Sequence, residues 1–482
     1  MRSLTYILSV LLVGALFLHS CVSDEDFPTP AGATFRLSAD TIDLDTVLTH
    51  TASATRSLTL YNDNSKGLSI TSVTIEGDDA AQFLANVDGN AISSTVSNSI
   101  SIDCRGKDSL IAFVQFNAKE IDQDEAAPCE ARLVFTLANG LQQNVVLQGY
   151  SQDAIVLKGR VFTTDAILNA TRPYVIQDSL VVAEGATLTL KEGTTLLFRP
   201  EAYLKVEGTL IANGSLAQPV TMRGHRLDDM FEHQPYDRIY NQWQGIVFTS
   251  TSYDNHLNYC DIHSSNYGII CDSSDIARPK LRLENSILHN TKQDALRLTC
   301  SQAFVGNTQI SNAEGNCITV YGGDAMFVHC TIASFSPFSA MRGNALVFHN
   351  TLPSGAPSPI ERLRFANSII TGYAADEIYA YTDVNVANNY AFRSCLLCTP
   401  EITDNPDVSN CIWEDPKDTL TRVKNFIPFD LPALYFDFRL SADSKARNLA
   451  DPDITAQYYP LDRLGRERKP TADAGCYQYY EE

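Results

Sequence analysis

Between Asn258 and Leu396, apolar and polar residues alternate inside short segments, and the segments themselves return. The copies read Asn258-Tyr-Cys-Asp-Ile262, Leu283-Glu-Asn-Ser-Ile287, Gly306-Asn-Thr-Gln-Ile310, Val328-His-Cys-Thr-Ile332, Phe365-Ala-Asn-Ser-Ile369 and Phe392-Arg-Ser-Cys-Leu396. Their closing aliphatic residues are 25, 23, 22, 37 and 27 residues apart. Alternation with period two predicts strands rather than helix turns, and a repeat in the twenties predicts a solenoid. Leu281, Leu283, Asn285 and Ile287 fall on one face, as do Leu363, Phe365, Asn367 and Ile369. Arg282, Glu284 and Ser286, or His329 and Thr331, suit a wet face. The pattern predicts a right-handed parallel β-helix.

Aligning the closing aliphatics puts Cys260, Asn285, Thr308, Cys330, Asn367 and Ser394 in one column, an expected inward ladder of small polar groups. An inward Asn needs its amide bonded to the turn backbone or to the next Asn. A second series, Gly268-Ile269, Ala295-Leu296, Cys317-Ile318 and Ala345-Leu346, predicts another stacked strand. The loop from Leu352 to Ile360, rich in Pro, accounts for the long spacing. Upstream, from Thr34 to Gln152, the pattern shifts to short strands such as Ser57–Tyr61, Leu68–Ile75 and Leu110–Phe116, separated by Asn/Asp/Gly turns. That predicts an immunoglobulin-like sandwich. The expected order is a signal peptide (1–20), a tether (21–33), the sandwich (34–152), the β-helix (153–411) and a capping region (412–482). The cap is required because a bare last coil would be an open sheet edge.

Charge and the N-terminus narrow the address. The 482 residues carry a net charge of −21, which argues against nucleic acid and anionic headgroups as partners. Arg2 precedes an apolar run from Ile7 to Leu18, too short for a confident membrane span. Leu18-His-Ser-Cys21 follows and looks like a bacterial lipobox, which implies cleavage before Cys21 and a lipid anchor on its sulfur, holding the chain to a membrane. The acidic Ser23-Asp-Glu-Asp26 resembles the surface-export signal of Bacteroidetes lipoproteins, which implies the outer face of the outer membrane rather than the periplasm. Removing Cys21 leaves eleven cysteines, an odd number with no framework spacing; several fall on inward faces, and Cys104 and Cys129 leave room for one bridge.

The ending, Asp462-Arg-Leu-Gly-Arg466 followed by Ala472-Asp-Ala-Gly-Cys-Tyr-Gln478, resembles the tail of secreted proteins of the pectate-lyase-like right-handed parallel β-helix superfamily. Asp462, Gly465 and Arg468 match its first half, and Asp473, Gly475 and Tyr477 its second, with Cys476 in place of the usual Ala. With Pro173-Tyr-Val-Ile176, Gly208-Thr-Leu-Ile-Ala-Asn213 and Trp243-Gln-Gly-Ile246, the chain resembles Bacteroidetes surface lipoproteins that carry such a helix behind an Ig-like domain. The resemblance implies fold and address; its motifs are structural.

Chemistry is harder to find. Polygalacturonases of this fold are similar to one another in Asn-Thr-Asp, Asp-Asp, Gly-His-Gly and Arg-Ile-Lys motifs. Here the only Asp pair of the helix region, Asp228-Asp229, lies in a polar insertion, and neither Gly-His-Gly nor Arg-Ile-Lys occurs. Glycoside hydrolysis needs two carboxylates flanking one bond. The best outward candidates are Asp261 and Glu284, expected as diagonal neighbours, with His329 on the same face. The insertion concentrates aromatic residues, and Tyr236, Tyr240 and Trp243 are the candidate glycan contacts, although Trp-x-Gly-Ile also suits a structural coil start. Clustered Cys/His pairs for zinc are absent from the sequence, so no metal site and no cofactor are expected. Calcium is left without a supporting motif, since Glu120-Ile-Asp-Gln-Asp-Glu125 lacks the Gly turn of an EF-hand. The sequence therefore favours a non-catalytic surface scaffold binding a polysaccharide or another surface protein. The alternative is a polysaccharide lyase or glycoside hydrolase with an atypical site.

Overall fold

The computed structural model describes residues 27–95, 98–231, 233–339, 342–468 and 471–481. Cys21 and the acidic Ser23–Asp26 tract lie outside the described residues. The chain is all-β with two compact units, one holding residues up to 152 except 122–125, the other holding 122–125 and everything from Asp153 onward.

The first unit is a sandwich of two five-stranded sheets. One runs, in spatial order, Arg36–Leu37, Arg56–Tyr61, Ser109–Phe116, Phe83–Val87 and Asn90–Ser93. The other runs Thr41–Leu48, Gln142–Gln152, Ala127–Leu137, Leu68–Glu76 and Asn98–Cys104. Strict alternation sends Leu58 and Leu60, then Ala112, Val114 and Phe116, into the core between the sheets, the pattern a half-buried strand requires. Cys104 and Cys129 are both buried and free, so the bridge for which spacing left room is not formed.

In the second unit, 26 parallel strands wind as a right-handed β-helix. Each full coil contributes to three stacks in turn. The first includes Gly245–Phe248, Ile269–Cys271, Leu346–His349 and Ile378–Tyr381. Here Ile269, Leu296, Ile318 and Leu346 are in register, as the second sequence series predicts. The second stack includes Asn255–Asn258, Pro279–Glu284 and Ile360–Ala366. The third includes Val220–Gly224, Cys260–His263, Ile287–Thr291, Gln309–Ala313, Thr331–Ser334 and Ile369–Gly372.

The chain turns from the second stack into the third through a single left-handed residue: Tyr259, Asn285, Asn307, His329, Asn367, Ser394 and Asn410, all with φ between 48° and 54°. Asn tolerates this conformation best among residues with a side chain. Its amides continue the ladder: Asn285 Nδ2 donates to Asn258 Oδ1 (2.8 Å), and Asn307 Nδ2 to Asn285 Oδ1 (2.7 Å). This corrects the expected inward column. The true column is Cys260, Ser286, Thr308, Cys330, Ser368 and Cys395, all buried. Asn285, Asn367 and Ser394 sit one residue earlier, at the corner. The misregister arises at Ile287-Leu288, Ile369-Ile370 and Leu396-Leu397, where two aliphatics stand side by side and only the second points inward. Hydroxyls at the inward position are satisfied twice over. Ser286 Oγ donates to Glu284 O (2.7 Å) and accepts from Cys260 N (2.9 Å); Ser368 Oγ does the same with Ala366 O (2.9 Å) and Cys330 N (3.1 Å).

The terminal region does more than close the last coil. Phe426, Phe438, Leu440, Ala446, Leu449 and Cys476 pack on Ala333, Phe335, Ile369 and Leu396, most of them outward positions of the third stack. The face expected to be wet at His329 and Thr331 is therefore dry. Arg468 is buried there, donating to Asn307 Oδ1 (2.9 Å), Gly475 O (3.0 Å) and Asp473 O (3.2 Å).

Candidate functional site

On the third stack the inward residues Ile262, Leu288 and Ile310 are flanked by two outward columns. One carries Asp261, Ile287 and Gln309; the other carries His263, His289 and Ser311. Because parallel strands stack in register at about 4.8 Å, residues 26 positions apart become neighbours. Asp261 Oδ1 lies 2.9 Å from His263 Nδ1 and 3.2 Å from His289 Nε2. The two imidazoles stack with centroids 4.7 Å apart and planes 29° apart. Beneath them, Trp243 Nε1 donates to His263 O (2.8 Å), fixing the strand from the inside.

These groups open onto a cavity of about 260 Å³. Asp237 and Arg238 form one wall, tied to the strands by Asn290 Nδ2 donating to Arg238 O (3.0 Å). The opposite wall is the terminal region, from Leu434 to Phe438 with Tyr477. Arg238 joins the walls: it donates to Ala433 O (2.6 Å) and lies 5.1 Å from the Tyr435 ring centroid. Tyr477 Oη donates to Gln309 Oε1 (2.7 Å). The lining thus mixes carboxylate, imidazole and amide groups with aromatic rings.

The electrostatics of the cluster follow from burial. His263 is only 5% exposed, and burial lowers its pKa despite the attraction of Asp261, so the ring is neutral. An ionised Asp261 can only accept, so His263 Nδ1–H donates to it. Burial alone would raise the Asp261 carboxyl, but hydrogen bonds from His263 and His289 outweigh it and hold the pKa well below the usual range. His263 Nε2 is buried and has no hydrogen-bond partner among the described residues, and the same holds for Asp237 Oδ1. Asp237 Oδ2 lies 3.3 Å from Arg223.

The sequence candidates scatter across the fold. Asp261 lines the cavity, but Glu284 does not accompany it: Glu284 stands opposite Asn258, across the left-handed corner from Asp261. It accepts from Tyr459 Oη (2.6 Å) and bonds His256 and Arg282, which anchors the terminal region. His329 is fully buried at the corner, with Nδ1 3.3 Å from Gly475 O and Nε2 3.0 Å from Asn367 Nδ2. The expected outward trio is therefore not assembled. Trp243 is 1% exposed and stacks on Phe198 at 4.1 Å, so it is a coil-start residue and not a ligand contact. Tyr236 carries Arg226 over its ring at 4.5 Å. Tyr240 meets Phe338 edge-on at 5.1 Å, with Lys292 5.0 Å from its centroid. Reading spacing along the chain missed His263 and His289. The available signal was an aliphatic-His pair, Ile262-His263 and Leu288-His289, at the same place in successive coils.

No family model matches the chain. One stretch of 83 residues, 17% of the chain, is 34% identical to Protein bark beetle of Drosophila melanogaster, of which the chain covers 3%. Among solved structures, the PapD-like domain 7 of human CEP192 is similar over 28% of this chain and 98% of that domain, at 14% identity and a TM-score of 0.18. The catalytic unit of a GH87 α-1,3-glucanase from Streptomyces thermodiastaticus is similar over 74% of this chain and 88% of that one, at 9% identity and a TM-score of 0.20. Likenesses of this degree carry no statement about activity, and the fold rests on the strand pairing itself.

Proposed function

We propose that the chain is a non-catalytic lipoprotein, anchored through Cys21 at the outer face of an outer membrane, whose β-helix offers the Asp261–His289 cavity to a polysaccharide. One observation carries the reading: hydrogen-bonding side chains and aromatic rings share an open cavity whose floor is three strands of a rigid stack. Sugar recognition requires that combination of polar groups and apolar faces in a largely preformed concave site.

A hydrolytic site would need one carboxyl that keeps its proton beside another that does not. Asp261 is held ionised. The carboxyl raised to about 8, Glu377, is fully buried away from the cavity lining, where it accepts from Ala345 N (2.8 Å) and Ala374 N (2.7 Å). The second reading, a lyase or hydrolase, draws on the convergence of Asp237 and Asp261 in one cavity.

The test is native-gel retardation of the purified full chain across a panel of host and plant polysaccharides. Reducing-end and unsaturated-product assays run beside it, with and without calcium. Retardation without product, weakened by Gln309→Ala or Tyr435→Ala, is the expected result. Product formation replaces the binding reading with the enzymatic one, and silence in every arm replaces the glycan with a protein partner. Labelling with a radioactive fatty acid, lost in Cys21→Ala, tests the anchor separately.

A further inference from the structure

We propose that Asp261, His263 and His289 form a binding site for one divalent transition-metal ion, with its open side facing the cavity. The inference deepens the binding reading above, because the ion would hold an oxygen of the bound ligand, but the site itself stands on its own geometry.

One ligand atom from each of the three residues lies within 4.8 Å of the others. Two ligands of one ion, each at about 2.1 Å, stand roughly 3.0–3.4 Å apart for angles between octahedral and tetrahedral. The observed 2.9 and 3.2 Å from Asp261 Oδ1 to the two imidazole nitrogens match those separations closely. The three residues approach from one side, two from one strand and the third from the next, and the other side is the cavity. Two imidazoles and one carboxylate on one face, with open positions opposite, is a donor set suited to zinc, iron, cobalt or nickel rather than calcium or magnesium.

His263 Nε2 is buried with no protein partner among the described residues, in a ring that lines the cavity. A buried polar atom left alone costs about 1–3 kcal/mol, which a water in the cavity offsets; the ion itself would sit at the opposite ring nitrogen, Nδ1. Nearby cations are already engaged: Arg223 bonds Gly224 O (3.3 Å) and Asp237, and Arg238 reaches Ala433 O. On the strand side, the Trp243 indole holds the His263 carbonyl and so fixes the backbone that carries the ring.

The test is calorimetric titration of the chelator-stripped full chain with Zn2+ and with Co2+, the latter also followed by its visible absorption. One equivalent of each ion is expected, together with a rise in Tm on zinc addition. His263→Ala, His289→Gln and Asp261→Asn should each weaken binding by about tenfold or more and remove the Tm rise. His349→Ala, a half-exposed histidine on the first stack, should change neither. His289→Gln keeps a polar side chain at a partly exposed position, so it remains informative if His263→Ala fails to fold. Absence of stoichiometric uptake, or uptake unchanged in all three variants, overturns the site. Stoichiometric ion binding with no glycan retardation keeps the site and removes the glycan. Glycan retardation indifferent to chelator, without ion uptake, removes the site alone.

Discussion

His263 and His329 stand nearly three coils apart on the same flank of the β-helix, and they have opposite fates. At His329 both nitrogens are engaged, by Gly475 and by Asn367, and the ring is fully buried. Burial, with Arg468 nearby, holds its pKa well below the ordinary value. At His263 one nitrogen meets Asp261 and the other meets no described group. Coil for coil the helix offers the same platform: Tyr259 takes the corner place of His329, and Ala333 the outward place of His263. What differs is the terminal region, which packs against the third stack at Ala333 and Ile369 and leaves a cavity over it at Asp261 and His289. A repeat scaffold supplies identical platforms, and the segment laid across it decides which platform is structure and which is site.

The strongest way to break this contrast is to loosen the covering segment. Arg468→Met removes the buried cation that ties Asn307 to the Gly475 and Asp473 carbonyls, and three acceptors each lose a donor, with only His329 left to serve Gly475. A loss of about 3–5 kcal/mol is expected, read as a lower chemical-denaturation midpoint. Glycan binding should fall with it, because Tyr435 and Tyr477 ride on the same segment, while ion uptake by Asp261, His263 and His289 should persist. His329→Leu comes next, at about 2–3 kcal/mol, since the Gly475 carbonyl and the Asn367 amide lose a partner in a dry interface.

Glu284→Gln sharpens the comparison through pH. Burial favours the protonated acid, yet hydrogen bonds from His256, Arg282 and Tyr459 outweigh it and bring the carboxyl down to about 2 from its ordinary 4.5. A carboxyl depressed on folding adds stability that is complete above its unfolded value and is lost as pH falls towards the folded one. The variant should therefore be weaker than the parent by about 1–2 kcal/mol at pH 7. The two denaturation curves should converge between about pH 4.5 and pH 2. Curves that stay parallel would mean that Glu284 does not anchor Tyr459 as an anion.

The legible part of the molecule was its repeat. Alternation along Leu281–Leu283 and Leu363–Phe365 marks strands whatever surrounds them, and the turn-rich stretch before Gln152 marks the sandwich. Exact register was legible only where one aliphatic closes a coil. At Ile287-Leu288 and Ile369-Ile370 two adjacent aliphatics suit different surroundings, one the core and one a second layer, and only the presence of that layer tells them apart. The tail motif could be read as structural, but not its docking place, because Arg468 meets Asn307 across 161 residues. Likewise Asp261 could be picked as an outward acid, whereas its partners depend on which residue of the next coil lands beside it. Glu284 looked the nearer choice, and the left-handed corner takes it away. Contacts between coils follow from periodicity; contacts between the helix and its covering segment have no period to follow.

The smallest expected effect is the most discriminating. Tyr435 is 51% exposed, and its backbone pairs with Asp430 in both directions at 2.9 Å, so truncating the side chain leaves the wall of the cavity standing. Tyr435→Ala gives up the Arg238 stacking contact, worth about 0.5–1 kcal/mol at an exposed site, and little else. Stability should change by no more than that, while any ligand that uses the ring should bind several-fold more weakly. A denaturation midpoint falling as far as that of His329→Leu would place Tyr435 with the covering layer, and the distinction between the closed and open platforms would fail. An unchanged midpoint with weakened binding separates the two: the same segment fills one stretch of the helix with packed side chains and leaves a cavity against the next.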